Sequence, residues 1–328
     1  MRISSRPTST AMALLVLLAL LGSCGGEGRR AEDDAAVTTS STNATVTSTT
    51  KQDPSPIATG TTTGSLEHEG VTRTYRLHVP DGIEGGSVPL LVALHGGGGS
   101  GQQFASSSQW DAVADAEGFV VVYPNGTGRI PTWNAGECCG AAARDDVDDV
   151  GFIDELIDEL SATLPIDQGR IVATGHSNGS TMSYRLACEM ADRIVAIGVQ
   201  AAPLTYEPCE PTEPVSLLHV HGAKDANVPI DGGEGSGISG LNWPSVEEGV
   251  DTIAAADGCE PEPDVESVDG TTRSTWTRCD DSEVELVVVA EGAHGWMRPG
   301  GSGNRGDADD VGFDSTATIW EFLERQLD

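Results

Sequence analysis

The sequence predicts an α/β domain in which a mostly parallel central sheet is flanked by helices. Three observations predict it. Short runs rich in Val, Ile and Leu alternate with segments of helical period, the pattern of strands joined through crossover helices. Several runs are apolar at every position, as in strands buried on both faces. A glycine-bracketed serine, Gly175-His176-Ser177-Asn178-Gly179, stands where one such run gives way to a helical pattern.

In chain order, strands are expected at 74–79, 90–94, 120–123, 170–174, 194–200, 216–221 and 284–290. Helices are expected at 102–116, 151–164, 180–190, 245–256 and 315–327. The first pair of strands is expected to be antiparallel and the remainder parallel. In such sheets functional groups gather at the carboxyl ends of the strands. Asp148 and Asp149 precede a helical pattern and read as N-capping residues.

The beginning of the chain has a different character. Arg2 and Arg6 form a basic start, residues 11–21 form an apolar run, and no acid occurs before Glu27. The run is shorter than the roughly 20 residues a spanning helix needs. Leu21-Gly22-Ser23-Cys24 has the form of a lipobox, in which the cysteine is acylated and becomes the new N-terminus. Residues 1–23 therefore read as a signal peptide and Cys24 as the point of lipidation. Residues 24–64 are Thr/Ser-rich and nearly free of large apolar side chains, so a disordered stalk is expected there. The domain proper is assigned to 65–328.

The chain has 51 Asp and Glu against 18 Lys and Arg, a formal net charge of −33. This excess argues against nucleic acid as a partner, because phosphate binding needs clustered basic residues. Membrane contact is expected only through the lipid on Cys24. Of seven cysteines, Cys24 is set apart and six remain. An even number in an exported domain points to disulfides. Cys259 with Cys279 and Cys188 with Cys209 are the most local choices, leaving Cys138 and Cys139 as a vicinal pair or as free thiols. No Cys-x-x-Cys or Cys/His spacing favours a metal site, and no cofactor is expected.

Gly-x-Ser-x-Gly between a strand and a helix presents a serine on a sharp turn, with glycines where any side chain would clash. A serine hydroxyl is a poor nucleophile until a base takes its proton and a carboxylate orients that base. With this motif the chain order is serine, acid, histidine. His219 and His221 follow Ser177 but lie inside an expected strand, so His294 is the candidate base, in the glycine-flanked loop Glu291-Gly292-Ala293-His294-Gly295-Trp296. The candidate acid is Asp225, a short turn beyond the strand at 216–221. Asp231 is the runner-up, although turn chemistry before Gly232-Gly233 already accounts for it. Two backbone N–H groups complete the set as an oxyanion hole, one from Asn178 and one from Gly97 in the loop His95-Gly96-Gly97-Gly98-Gly99.

These residues lie among others that occur together in one family. They include Leu94-His95-Gly96-Gly97, Gly118-Phe119-Val120-Val121-Val122-Tyr123-Pro124, Trp133-Asn134-Ala135-Gly136, Cys138-Cys139-Gly140, the Gly-x-Ser-x-Gly segment, His221-Gly222-x-x-Asp225-x-x-Val228-Pro229 and His294-x-Trp296. The chain resembles the secreted esterases of the polyhydroxybutyrate-depolymerase and feruloyl/acetylxylan-esterase group. The resemblance implies an α/β-hydrolase fold and a triad of Ser177, Asp225 and His294. It implies an extracytoplasmic serine ester hydrolase, lipid-anchored at the cell surface, acting on small-molecule or polymeric esters. Members often read His-x-Trp-Pro, whereas here Met297 and Arg298 intervene before Pro299. Trp133 and Trp296 are candidates for stacking on a substrate ring. The competing readings are a serine peptidase of the same fold and a surface binding protein without catalysis.

Overall fold

A computed structural model describes residues 57–237, 239–301 and 309–327. The expected signal peptide, the expected lipidation point Cys24 and most of the expected stalk fall outside these residues.

Two strands open the domain, β1 (Gly60–His68) and β2 (Val71–Val79), paired antiparallel. Then come β3 (Val88–Leu94), α1 (Gly101–Ser108), α2 (Trp110–Glu117), β4 (Val120–Pro124), α3 (Gly140–Arg144), α4 (Asp149–Thr163) and β5 (Ile166–His176). They are followed by α5 (Asn178–Glu189), β6 (Ile194–Gln200), β7 (Ser216–Gly222), the short pair β8 (Gly233–Glu234) and β9 (Asn242–Trp243), and α6 (Val246–Ala256). A hairpin of β10 (Asp264–Val268) and β11 (Thr271–Trp276), then β12 (Val284–Val289) and α7 (Ser315–Arg325), complete the chain.

The main sheet runs β1-β2-β4-β3-β5-β6-β7-β12-β11-β10. From β4 to β12 every neighbouring pair is parallel, whereas both margins are antiparallel. The parallel expectation therefore holds for the centre and fails at the far edge. There β10 and β11 turn back through Asp269-Gly270, both with positive φ (48° and 77°), the conformation a two-residue hairpin turn demands.

Leu90 to Leu94 are all fully buried because alternate side chains enter two different cores. Leu90, Val92 and Leu94 join the core built with Phe152 and Leu156 of α4, Met182 and Leu186 of α5 and Val250 of α6. Leu91 and Ala93 join the opposite core with Phe104 of α1, Trp110 of α2 and Ile319 and Phe322 of α7. This division explains the uninterrupted apolar runs.

Three expectations need correction. The strand β1 begins at Gly60, inside the segment assigned to the stalk. Thr61, Thr62 and Thr63 pair with His78, Leu77 and Arg76, and β-branched threonines suit a strand edge as well as a linker. The helix expected at 102–116 is two helices, broken at Gln109 in the left-handed region (φ 59°). The Ser107 and Ser108 hydroxyls there bond the carbonyl of Phe104, competing with the helix for its own acceptors. Asp148 does cap α4, accepting from the N–H of Gly151 at 2.9 Å, but Asp149 is no cap. It is fully buried, 2.6 Å from Arg73 Nη2 and 2.7 Å from the N–H of Asn134.

The structure joins Cys188 to Cys209 and Cys259 to Cys279, with Cα–Cα separations of 4.9 and 3.8 Å, and joins the neighbours Cys138 and Cys139.

Candidate active site

Ser177 stands between β5 and α5 with φ 54° and ψ −120°, a strained conformation for a residue with a side chain. Its N–H is held by the carbonyl of Gln200 at 2.9 Å. The flanking glycines are steric necessities. A Cβ on Gly175 would collide with the carbonyl of Gly179, and one on Gly179 with the carbonyl of Leu94. The tight crossing of helix over strand excludes any larger residue.

The structure brings together the serine, acid and histidine that the sequence singled out. His294 Nε2 lies 2.9 Å from Ser177 Oγ, and His294 Nδ1 lies 2.7 Å from Asp225 Oδ2. Asp225 follows β7 and is buried; its other oxygen accepts from the N–H groups of Asn227 and Val228, both at 2.9 Å. Burial raises the Asp225 pKa, but the hydrogen bond and charge of His294 and the Val228 N–H outweigh it and hold the carboxyl below its ordinary range. Asp231, the runner-up, is exposed on the turn closed by the Gly232 N–H to Pro229 carbonyl bond.

Asn178 is the first residue of α5, where a helix N–H has no partner in its own helix. Gly97 approaches it closely, a Cβ there lying 3.9 Å from the Asn178 Cβ. The loop carrying Gly97 is pinned through His95. Gly126 N–H donates to His95 Nε2 at 3.0 Å, and Nδ1 lies 2.8 Å from the Gly96 carbonyl. Burial pushes the His95 pKa down to about 4 despite that carbonyl, so the ring is neutral.

Ser177, His294 and Gly97 line two adjoining cavities. The smaller, ≈ 360 Å³, is walled by the 96–100 loop, Phe104 and His176. The larger, ≈ 870 Å³, reaches past Thr132, Cys139, Val228 and Trp243 to Arg129 and Arg144. A scissile ester placed at Ser177 would have space on both sides.

Trp133 and Trp296 are not available to stack on a substrate; both are 0% exposed. Trp133 Nε1 donates to the carbonyl of His95 at 2.9 Å, supporting the loop from beneath. Trp296 stands edge-on to Phe104 (5.1 Å, 87°) and donates to Thr316. The family-like pattern at these positions reflects support of the site, and the core outcompeted the cavity for two large apolar rings.

Several supporting residues escaped sequence reasoning. His176 Nε2 lies 2.5 Å from the His294 carbonyl, and Gln200 Nε2 donates to the Gly295 carbonyl at 2.6 Å, so the histidine loop is held on both sides of its peptide. Behind Asp225 runs a buried line of side chains. His221 Nε2 is 3.0 Å from the Val228 carbonyl and 3.6 Å from Asp225 Oδ2, His221 Nδ1 is 3.1 Å from His219 Nε2, and His219 Nδ1 is 2.8 Å from Tyr184. Two histidines one strand repeat apart were the only signal, and their strand position counted against them as bases.

A large sheet with parallel centre, helices on both faces and a strained serine beside histidine and aspartate at strand ends defines an α/β-hydrolase. The model of the family described as esterase PHB depolymerase matches residues 73–224 of this chain, a span that includes Ser177 and stops one residue short of Asp225. The chain is 33% identical to NocK of Nocardia uniformis subsp. tsuyamanensis over 235 residues, 70% of this chain and 66% of that one. It is 30% identical to feruloyl esterase B of Piromyces equi over 226 residues, 66% of this chain but 41% of that enzyme. The chain thus spans less than two thirds of these relatives' lengths. Its fold is shared with the acetyl xylan esterase from Aspergillus awamori, with a TM-score of 0.58 at 12% identity, over 80% of this chain and 99% of that one.

Proposed function

We propose that this chain is a serine carboxylic-ester hydrolase that works through an acyl-enzyme on hydroxybutyrate-type polyester or on feruloyl- or acetyl-type esters. One observation carries the reading: the unbroken line from Ser177 Oγ through both nitrogens of His294 to Asp225, opening onto the two cavities.

In the proposed mechanism His294 Nε2 removes the Ser177 proton as Oγ attacks the ester carbonyl carbon. The N–H groups of Gly97 and Asn178 receive the oxyanion of the tetrahedral intermediate. As the intermediate collapses, the C–O bond to the alcohol breaks and His294 returns the proton to the leaving oxygen. Water then attacks the acyl-enzyme with His294 again as base, and the second collapse restores the Ser177 hydroxyl and releases the acid. Asp225 stays ionised throughout, supporting the imidazolium.

The names of the relatives, feruloyl esterase B among them, support ester substrates of this kind. The test is hydrolysis of 4-nitrophenyl acetate and butyrate by the full chain beside Ser177→Ala. A truncation at residue 65 would cut into β1. Loss of hydrolysis in the variant is expected; equal rates would remove the triad assignment.

We further infer an extracytoplasmic, lipid-anchored location, supported by the leader at 1–23, the lipobox cysteine and the paired cysteines of the domain. Cys24→Ser is expected to shift the protein from the membrane fraction to the medium.

A further inference from the structure

Arg129 stands apart from every other cation in the described chain. In a protein with 51 acids and 18 bases, each other described lysine or arginine has a partner, nearly all of them a carboxylate. Arg129 makes no hydrogen bond or ion pair among the described residues, is exposed, and lines the ≈ 870 Å³ cavity that contains Ser177. The other charged side chains described in that lining, Arg144 and Asp145, neutralise one another through two 2.8 Å hydrogen bonds. Among the described residues, the cavity lining therefore carries an uncompensated positive charge inside a strongly negative molecule.

The arm that bears Arg129 is tied to the catalytic loops. Residues 128–131 form the tip of a hairpin closed by reciprocal bonds between Thr127 and Thr132, at 3.1 and 3.0 Å. The Pro131 carbonyl accepts from the Gly98 N–H at 2.7 Å, and the Trp133 N–H donates to Asn178 Oδ1 at 2.7 Å. Arg129 is two residues from Pro131, about 7 Å of chain at most. Its neighbour Ile130 is 48% exposed and lines the same cavity. A cation beside an apolar surface, on an arm registered to the oxyanion loop, suits a ligand with an apolar body and an anionic end.

We propose that Arg129 is a carboxylate-binding subsite, and that the preferred substrates are esters carrying a free carboxylate on the part that occupies the larger cavity. A guanidinium presents a fork of donors that matches a carboxylate. The overall negative charge does not prevent this, because repulsion from exposed acids is screened beyond about 8 Å at physiological ionic strength. The shared chemistry has two sources: the acid end of a hydroxy-acid oligomer, on the alcohol side of the scissile bond, or the second carboxylate of a diacid, on the acyl side. The proposal rests on the ester-hydrolase reading.

The test measures kcat/KM of the full chain on two matched pairs: the linear 3-hydroxybutyrate dimer and its methyl ester, and mono-4-nitrophenyl glutarate and its methyl ester. For at least one pair the free acid is expected to be preferred about tenfold or more, the scale of a charge-assisted bidentate contact. Arg129→Gln is expected to abolish that preference and Arg129→Lys to retain part of it. The responding pair identifies the side of the bond that lies in the cavity. Hydrolysis of the capped esters with no preference for either acid, or a preference unchanged in Arg129→Gln, would overturn the subsite and leave the esterase intact. No hydrolysis of any of the four esters would overturn both.

Discussion

The hydroxyl of Tyr184 lies 2.8 Å from Nδ1 of His219, and both side chains are fully buried. That contact begins a chain of donors whose direction is settled at the other end. The Val228 carbonyl can only accept, so His221 Nε2 carries its proton and His221 Nδ1 accepts from His219 Nε2–H. His219 Nδ1 then accepts from Tyr184. Burial pushes both histidine pKa values down, which keeps each ring neutral and the order intact. The chain ends on the loop whose N–H groups hold Asp225.

Breaking that chain is expected to weaken both fold and activity. His221→Leu strands the His219 N–H and the Val228 carbonyl, at about 1–3 kcal/mol for each buried unpaired group. It should lower kcat more than it raises KM, because Asp225 loses its support. Tyr184→Phe strands one acceptor far from Asp225 and should affect the denaturation midpoint more than kcat. Equal losses of kcat in the two variants would contradict a role in positioning Asp225.

Asp225→Asn keeps the shape of the loop but leaves no carboxylate facing His294 Nδ1. The expected loss in kcat is about 10⁴, the scale seen when an orienting acid is replaced by its amide. Steady-state kinetics decide it, and a loss below tenfold would point to another acid.

Gly179→Ala is expected to destabilise the domain by about 3 kcal/mol or more, since the new methyl would overlap the Leu94 carbonyl and backbone cannot yield cheaply. Guanidinium unfolding of the variant measures it. A change within about 0.5 kcal/mol, the scale of a neutral surface substitution, would refute the close helix-to-strand crossing.

Stability should fall as the solution is acidified from pH 7 to 4. Burial pushes His95 and His176 down to about 4, so between that value and about 6.5 the unfolded chain binds protons that the folded one does not. Stability is full above the unfolded value, is lost as pH falls, and the loss levels off below about 4. The two shifts correspond to roughly 3 kcal/mol each as an order of magnitude. Asp225, with its depressed pKa, adds a further loss as pH falls through its folded value. His68, whose pKa is raised by Glu155 and Asp148 against the opposing effect of burial, works in the other direction. Urea midpoints at pH 7, 6, 5 and 4 test this, and identical midpoints at pH 7 and 5 would mean that the two rings are not buried neutral.

Much of the architecture was legible because its signals are local. The Gly175–Gly179 elbow, the continuous apolar strands and the strand-end position of Asp225 each follow from a few consecutive residues. The β10–β11 hairpin was missed although Asp269-Gly270 is a strong turn signal, since its flanking strands are polar and mostly half-exposed or exposed. The strand β1 was missed because threonine-rich sequence reads equally as linker. Trp133 and Trp296 were assigned to substrate because a pattern of residues near a site does not say which way a ring points.

The sequence alone determined the residues on which the proposed chemistry rests: a serine on a glycine-bracketed turn, a candidate base and acid in a fixed order, and glycines for the proposed oxyanion loop. Those depend on residue type and short-range spacing. Only the tertiary structure decided which histidines are buried neutral in a line behind Asp225, which tryptophans are interior, and that Arg129 is left without a partner among the described residues in the cavity of Ser177. These outcomes depend on residues far apart in sequence competing for the same partners and the same interior space, and that competition is resolved only when the chain is packed.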